Sequence, residues 1–190
     1  MKIDGNQIKV GNILEINNKL WRVIKTQHTQ PGKGGAYLQA EMKELIDGIK
    51  MNERFRSSES VERAILDEKQ CQYLYSADGK YFFMDNASYE QVEIGKDIIT
   101  DAESKFLKEN NINTILFYES QPVSIILPAH VSFKVVEADA VVKGQTAASS
   151  YKPAILERGI KTSVPPFIEV GDLIVINTND SSYVEKLKKS

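Results

Sequence analysis

Turn signals recur along this chain at short intervals, and that punctuation limits its fold more than any other feature. Between them stand short runs rich in β-branched and aromatic residues, the pattern of strands rather than helices. "CQYLYSADGKYFFM" reads as a hairpin closed by Asp78-Gly79, a dipeptide suited to the left-handed backbone of a tight hairpin turn. "GNILEINNKLWRVIKT" holds two strands around Asn17-Asn18-Lys19. "VSIILPAHVSFKVVEADAVV" is strand on both sides of a break at Pro128, because proline cannot donate to a central ladder. One helix is expected in "TDAESKFLKENN": Thr100 and Glu103 have capping-box spacing, and Asn110-Asn111 would end it. "VGNILEIN" at Val10 is echoed by "VGDLIVIN" at Val170. A glycine turn opening an alternating strand is a common way to begin a barrel strand. The expected class is therefore mainly β, built of small barrels. Composition shifts near "SSESVERA" and at Pro128 divide it into 1–64, 65–127 and 128–190.

With 190 residues, 42% hydrophobic and 26% charged, the chain has the make-up of a globular protein. "MKIDGNQIKVG" has no apolar signal region, and "VSIILPA" is too short to span a bilayer. The single Cys71 cannot form an internal disulfide or a cysteine zinc site, so a cytoplasmic location is the expectation. Net charge is -2 and does not by itself announce a nucleic-acid partner. Its distribution is uneven. Residues 1–64 carry 11 Lys+Arg against 8 Asp+Glu (+3), residues 65–127 carry 5 against 11 (-6), and residues 128–190 carry 8 against 7 (+1). That fits RNA contact at the two ends, and it also fits scattered surface charge.

The stretch "QPGKGGA" sets Lys33 among Pro31, Gly32, Gly34 and Gly35, between two expected strands. A phosphate-binding Walker loop fails here, since Gly34 stands where Ser or Thr must follow the lysine. A dinucleotide fingerprint fails too, with Tyr37 where its last glycine belongs. Both motifs also lead into a helix. A nucleophilic lysine needs a desolvating pocket, which a glycine-flanked tip does not supply. His28 and His130 show no metal-ligand spacing, and no carboxylate pair stands out. What remains is reach: a thin tip whose side chain extends roughly 6 Å from the backbone. Such a cation suits a narrow anionic space such as RNA; an ordinary exposed turn lysine is the plainer reading of the loop alone. Arg54 and Arg56 flank Phe55, a basic-aromatic trio that fits either RNA contact or solvated arginines around a buried ring. Trp21 in an alternating strand fits a core position better than a base-stacking one.

The chain resembles the bacterial elongation factor P family over essentially all its length. "PGKGGA" matches the loop that bears the family's functional residue, here Lys33. "FRSSESVERA" is similar to the segment closing the family's first domain, and "KPAILERGIKTSVPPFIEVGD", Lys152 to Asp172, carries the family signature. The resemblance implies an SH3-like (KOW-type) barrel followed by two OB-fold barrels in an L-shaped, tRNA-like arrangement. It implies a translation factor, not an enzyme, that binds both ribosomal subunits between the peptidyl-tRNA and exit sites. There it would stimulate bond formation at consecutive prolines by positioning peptidyl-tRNA. It also implies a monomer off the ribosome, no membrane partner, no metal and no dissociable cofactor. A β-lysyl-type adduct on Lys33 would be added by a lysine-modifying enzyme. The family's Gly-Asp-Thr element reads Gly144-Gln145-Thr146 here. The C-terminal strand keeps Tyr183 but lacks the family's arginine, leaving Lys186, Lys188 and Lys189 as candidate phosphate contacts. The alternatives are a paralogous factor with other stall targets and a general RNA-binding barrel protein.

Overall fold

A computed structural model describes residues 1–140 and 150–188, and within them sixteen strands form three sheets. The first sheet contains β1 (Lys2–Asp4), β2 (Ile13–Ile16), β3 (Lys19–Thr29), β4 (Tyr37–Glu44), β5 (Lys50–Arg56) and β6 (Ser60–Arg63), in the order β1-β6-β2-β3-β4-β5. The second contains β7 (Asp67–Ala77), β8 (Lys80–Asp85), β9 (Gln91–Gly95), β10 (Ile112–Tyr118) and β11 (Gln121–Ile126), ordered β11-β10-β7-β8-β9. The third contains β12 (His130–Ala138), β13 (Lys152–Leu156), β14 (Lys161–Val164), β15 (Leu173–Asn177) and β16 (Tyr183–Lys186), ordered β14-β13-β12-β15-β16.

The local chemistry explains the connections. Asn17 and Asn18 both take positive φ, 53° and 59°, and so do Asp78 and Gly79, 51° and 75°, giving β2–β3 and β7–β8 their two-residue turns. The Val10/Val170 echo is a repeated turn geometry. Gly11 (φ 89°) donates its amide to Val23 O at 2.8 Å, and Gly171 (φ 91°) donates to Val135 O at 2.8 Å. The following Asn12 and Asp172 each accept, through the side chain, the amide three residues earlier, at 3.0 Å and 2.9 Å. β11 ends two residues before Pro128. Pro122 lies inside β11, but at a register shift opposite Phe117, where the ladder is already interrupted.

Alternation places one side of each sheet in a core. Leu14, Leu38, Ala40, Met42 and Val23 fill the first, with Trp21 packed among them. The Trp21 indole donates to Ile16 O at 3.4 Å, so this ring is structural. Cys71, Tyr73, Phe83, Ile94 and Ile115 are buried in the second barrel. Phe133, Leu156, Ile168, Ile174 and Ile176 fill the third. Each fully buried side chain of this size contributes about 1.5–3 kcal/mol.

By packing, Met1–Ile99 and Thr114–Ile126 make one compact unit, holding the first two barrels; Thr100–Asn113 and the described residues from Leu127 onward make the other. The expected helix is shorter than the sequence pattern suggests. The capping box forms, with Glu103 N donating to Thr100 Oγ1 at 3.2 Å and Thr100 N to Glu103 Oε2 at 2.9 Å. α1 nevertheless runs only Asp101–Ser104. The Arg158 guanidinium, from far along the chain, donates to the carbonyls of Ser104 and Leu107, and Phe106 packs edge-on against Phe133 at 6.4 Å. Those tertiary contacts take up carbonyls that a longer helix would have used internally. Asn110 then turns the chain with φ 67°.

Candidate functional site

The tip of the first barrel follows from its longest hairpin. β3 and β4 pair out to Thr29↔Tyr37, after which seven residues, Gln30–Ala36, close the loop. β4 stays anchored throughout, because Leu38, Ala40 and Met42 are completely buried and β5 pairs along its other edge as far as Tyr37↔Arg56. The root of the loop is fixed by Ser57, whose amide and hydroxyl both donate to Ala36 O, at 3.1 Å and 2.9 Å.

Beyond that root the loop is bare. Pro31, Gly32, Lys33, Gly34 and Gly35 are all exposed. A Cβ at Gly32 or Gly35 would meet open space, so these glycines keep the tip slender rather than relieve a clash. Gly34 has φ 129°, a conformation L side chains rarely adopt, and this position needs glycine for its backbone. Among the described residues no hydrogen bond or ion pair engages the Lys33 ammonium. The charge therefore stands free on a narrow projection.

Arg54 and Arg56 lie at the foot of the same loop. Arg54 stacks its guanidinium over the Tyr37 ring, 4.1 Å from the centroid, and Arg56 is exposed beside it. Together with Gly35, Ala36, Ser57 and Ser58 they line a cleft of about 550 Å³. The structure thus brings Pro31, Gly32, Lys33, Gly34, Gly35, Arg54 and Arg56 to one end of the first barrel. Phe55 between the arginines is buried in the core, and the strand's period of two sends both cations outward. Tyr37, Ser57 and Ser58 were not singled out from sequence. Only their nearness to the loop and to Arg54 in the fold gives them a place at the site.

Tyr183 and Lys186 lie on β16 of the third barrel. Tyr183 is half-buried and meets Tyr151 edge-on, 6.4 Å between centroids at 88°. Lys186 Nζ pairs at 2.8 Å with Asp172, a nearly buried carboxylate. Gly144, Gln145, Thr146 and Lys189 lie outside the described residues, and Lys188 is exposed. Neither histidine joins a cluster, and no group of three or more His, Cys, Asp or Glu side chains among the described residues could hold a metal. The Cys71 thiol is buried, and burial pushes its pKa up to about 11, so it is held as an unreactive thiol. No helix among the described residues is long and apolar enough to cross a membrane.

Three small β-barrels, one of them extending a free lysine on a glycine-lined hairpin, define a protein that presents a charge rather than one that encloses a substrate. The chain matches the elongation factor P KOW-like domain over residues 4–61, the elongation factor P OB domain over 66–125 and the elongation factor P C-terminal domain over 131–186. It is 53% identical to elongation factor P of Zymomonas mobilis and 51% identical to that of Sphingopyxis alaskensis, each over 98% of this chain and 99% of the relative. It is 49% identical to elongation factor P of Brucella abortus, over 98% of this chain and 100% of the relative. Among solved structures it is similar to a eukaryotic translation initiation factor 5A from Methanococcus jannaschii. That likeness has a TM-score of 0.57 at 22% identity, covering 67% of this chain and 92% of the other, and it speaks to the fold alone. The chain belongs to the elongation factor P family. Its role is that of a translation elongation factor, and the three-barrel expectation, one KOW-like and two OB-type, is met.

Proposed function

We propose that this factor binds the ribosome between the peptidyl-tRNA and exit sites and speeds peptide-bond formation at consecutive prolines, with Lys33 as the group that touches the end of peptidyl-tRNA. The observation that carries the reading is the unengaged ammonium of Lys33 on a loop with no bulk on either side. A cation presented this way can meet phosphate or ribose oxygens without first breaking an internal ion pair. Proline is a hindered, rigid nucleophile, so holding the reacting ends together lowers the entropic part of the barrier. The factor itself supplies positioning; the bond-forming site belongs to the ribosome, and the protein is not an enzyme in this reading. Arg54 and Arg56 extend the positive surface from the tip toward the barrel, where they would meet the backbone of the same RNA.

Tyr183 and Lys186 are candidates for a second RNA contact on the third barrel, as are Gly144, Gln145 and Thr146. Lys186 would have to leave Asp172 or share it. The same exposure that frees Lys33 for RNA makes it accessible to a lysine-modifying enzyme, and a β-lysyl-type adduct would lengthen its reach. A translating ribosome as partner places the factor in the cytoplasm, as a monomer when unbound.

The experiment is Lys33→Ala assayed on paired reporters with and without a polyproline stretch. The expected result is loss of polyproline product with normal output from the control. Normal polyproline output from the variant would overturn the reading. Intact mass of the protein purified from its own host, followed by sequencing of the tip peptide, reports whether Lys33 carries an adduct.

A further inference from the structure

The first two barrels belong to one compact unit, and a side-chain hydrogen bond joins β10 to β2. On β2, Leu14 faces its own core, so the alternation of the strand turns Ile13 and Glu15 the other way. On β10, Ile115 and Phe117 alternate with Leu116 and Tyr118 in the same manner. Ile13 and Leu116 are nonetheless only 8% and 5% exposed, and both line one cleft with Ala64 and Leu66. Two apolar side chains that point away from their own cores are thus covered at the junction. Beside them the Tyr118 hydroxyl donates to Glu15 Oε2 at 2.9 Å, a bond between residues 103 apart in the chain.

The β2 position is an awkward one for a carboxylate. Glu15 stands directly across from Glu62 on β6, and like charges facing each other across strands are destabilising. The amino group of Met1 takes up Glu62, while the hydroxyl of Tyr118 is the donor that serves Glu15. The Tyr118 phenol is held protonated: its bond to Glu15 raises its pKa first, burial adds to this, and the negative charges of Glu15, Glu119 and Glu62 add further. The donor therefore persists through the physiological range.

Glu15 is also directly opposite Leu20, near the start of β3, and β3 runs from there to Thr29 and the Lys33 loop. At about 3.3 Å per residue the hairpin is a lever up to roughly 30 Å long, so a swing of about 5° at its base carries the tip by roughly 2.5 Å. Displacements of this size are enough to spoil the placement of a reacting group.

We propose that the Glu15–Tyr118 hydrogen bond is a positioning contact that fixes the direction of the Lys33 hairpin against the second barrel, so that tip and barrel meet the ribosome as one preorganised body. This rests on the reading of Lys33 as the functional tip. Without the bond, the covered apolar side chains of Ile13 and Leu116 remain at the junction, but apolar burial is not directional and permits rocking. Only a fraction of the free molecules then present the tip correctly, and apparent affinity falls by that fraction while the bound state is unchanged.

The test uses the full chain with Tyr118→Phe, Glu15→Ala and Glu15→Gln, each checked for an intact thermal transition. Residual dipolar couplings of backbone amides report whether the first two barrels share one alignment. Polyproline synthesis is titrated against factor concentration. For Tyr118→Phe and Glu15→Ala the expected result is separate alignment of the two barrels, with a half-maximal concentration raised about three- to tenfold at an unchanged plateau. Glu15→Gln keeps an oxygen that can accept from Tyr118 and is expected to behave as the parent. A single alignment and an unshifted titration in Tyr118→Phe would overturn the proposal, and so would a Glu15→Gln variant as loose as Glu15→Ala. Lys33→Ala, run beside them, is expected to lower the plateau instead. An unchanged plateau there would sink the Lys33 reading, while the couplings would still decide the junction.

Discussion

Two hairpin loops of the same unit, Gln30–Ala36 between β3 and β4 and Asn86–Glu90 between β8 and β9, solve opposite problems. The second is tied down at nearly every residue. Asp85 Oδ1 accepts the amide of Ala87 at 2.8 Å, Asp85 O accepts that of Tyr89 at 2.8 Å, and Asn86 N donates to Gln70 O at 2.9 Å. Lys69 Nζ stands 3.4 Å from Asp85 Oδ2. This network is firm enough to hold Tyr89, a bulky residue, at φ 61°. Among the described residues, hydrogen bonds secure the first loop only at its root, where Ser57 grips Ala36. One loop spends its polar groups on itself and the other leaves its single charge unspent. An unsatisfied cation on an untied loop is available to a partner, whereas a satisfied loop serves the fold.

The largest effects are expected at Lys33 and Asp85. Lys33→Ala is expected to reduce the rate of polyproline synthesis by roughly two orders of magnitude. Its thermal unfolding should remain that of the parent, since an exposed, unpaired side chain carries little stability. Asp85→Ala is expected to do the reverse. The amides of Ala87 and Ser88, which donate to the Asp85 carboxylate, lose their protection from hydrogen exchange and the melting temperature drops, while polyproline synthesis below the transition persists.

The pH dependence follows the same division. The Ala87 amide, first, and then Ser88 and Lys69 hold the Asp85 carboxyl below the usual carboxylate range, against the opposing effect of burial. A lowered folded-state value means that this contribution to stability is fully present above the unfolded value, about 3.9, and is lost as pH falls through the folded value. Exchange protection at Ala87 should therefore fade in acid before the rest of the second barrel unfolds, and Asp85→Asn should remove that pH dependence.

The smallest effects are expected at the glycines. Gly79→Ala, in a turn with φ 75°, should cost about 1 kcal/mol in denaturant unfolding. Gly32→Ala and Gly35→Ala, whose added methyl groups meet open space, should stay within about 0.5 kcal/mol of the parent. If either instead weakens polyproline synthesis, slenderness of the tip is the property it has lost.

Much of this molecule is legible locally. The Asn17-Asn18 and Asp78-Gly79 turns, the end of β11 before Pro128, the Thr100–Glu103 capping box and the exposed tip around Lys33 all depend on residues within a few positions of one another. The length of α1 is not of that kind. Its local pattern favours continuation to Asn110, and the contacts from Arg158 and Phe133 override it. Arg54 and Arg56 could be seen to flank Phe55, but that Arg54 would rest on Tyr37 depended on β4 and β5 pairing in a particular register. The covered faces of Ile13 and Leu116 read in sequence as ordinary apolar positions, and nothing local says that each points away from its own core.

The amino-acid order alone determined that the chain would be short strands and tight turns, with one lysine set out on glycines, because backbone preferences and side-chain alternation act over a few residues. Tertiary structure alone decided that Glu15 would meet Tyr118, that Arg158 would stop α1 and that Tyr37 would lie under Arg54. Those pairings join residues distant in sequence, and their energy appears only after the sheets have closed and brought the partners within hydrogen-bonding or van der Waals range.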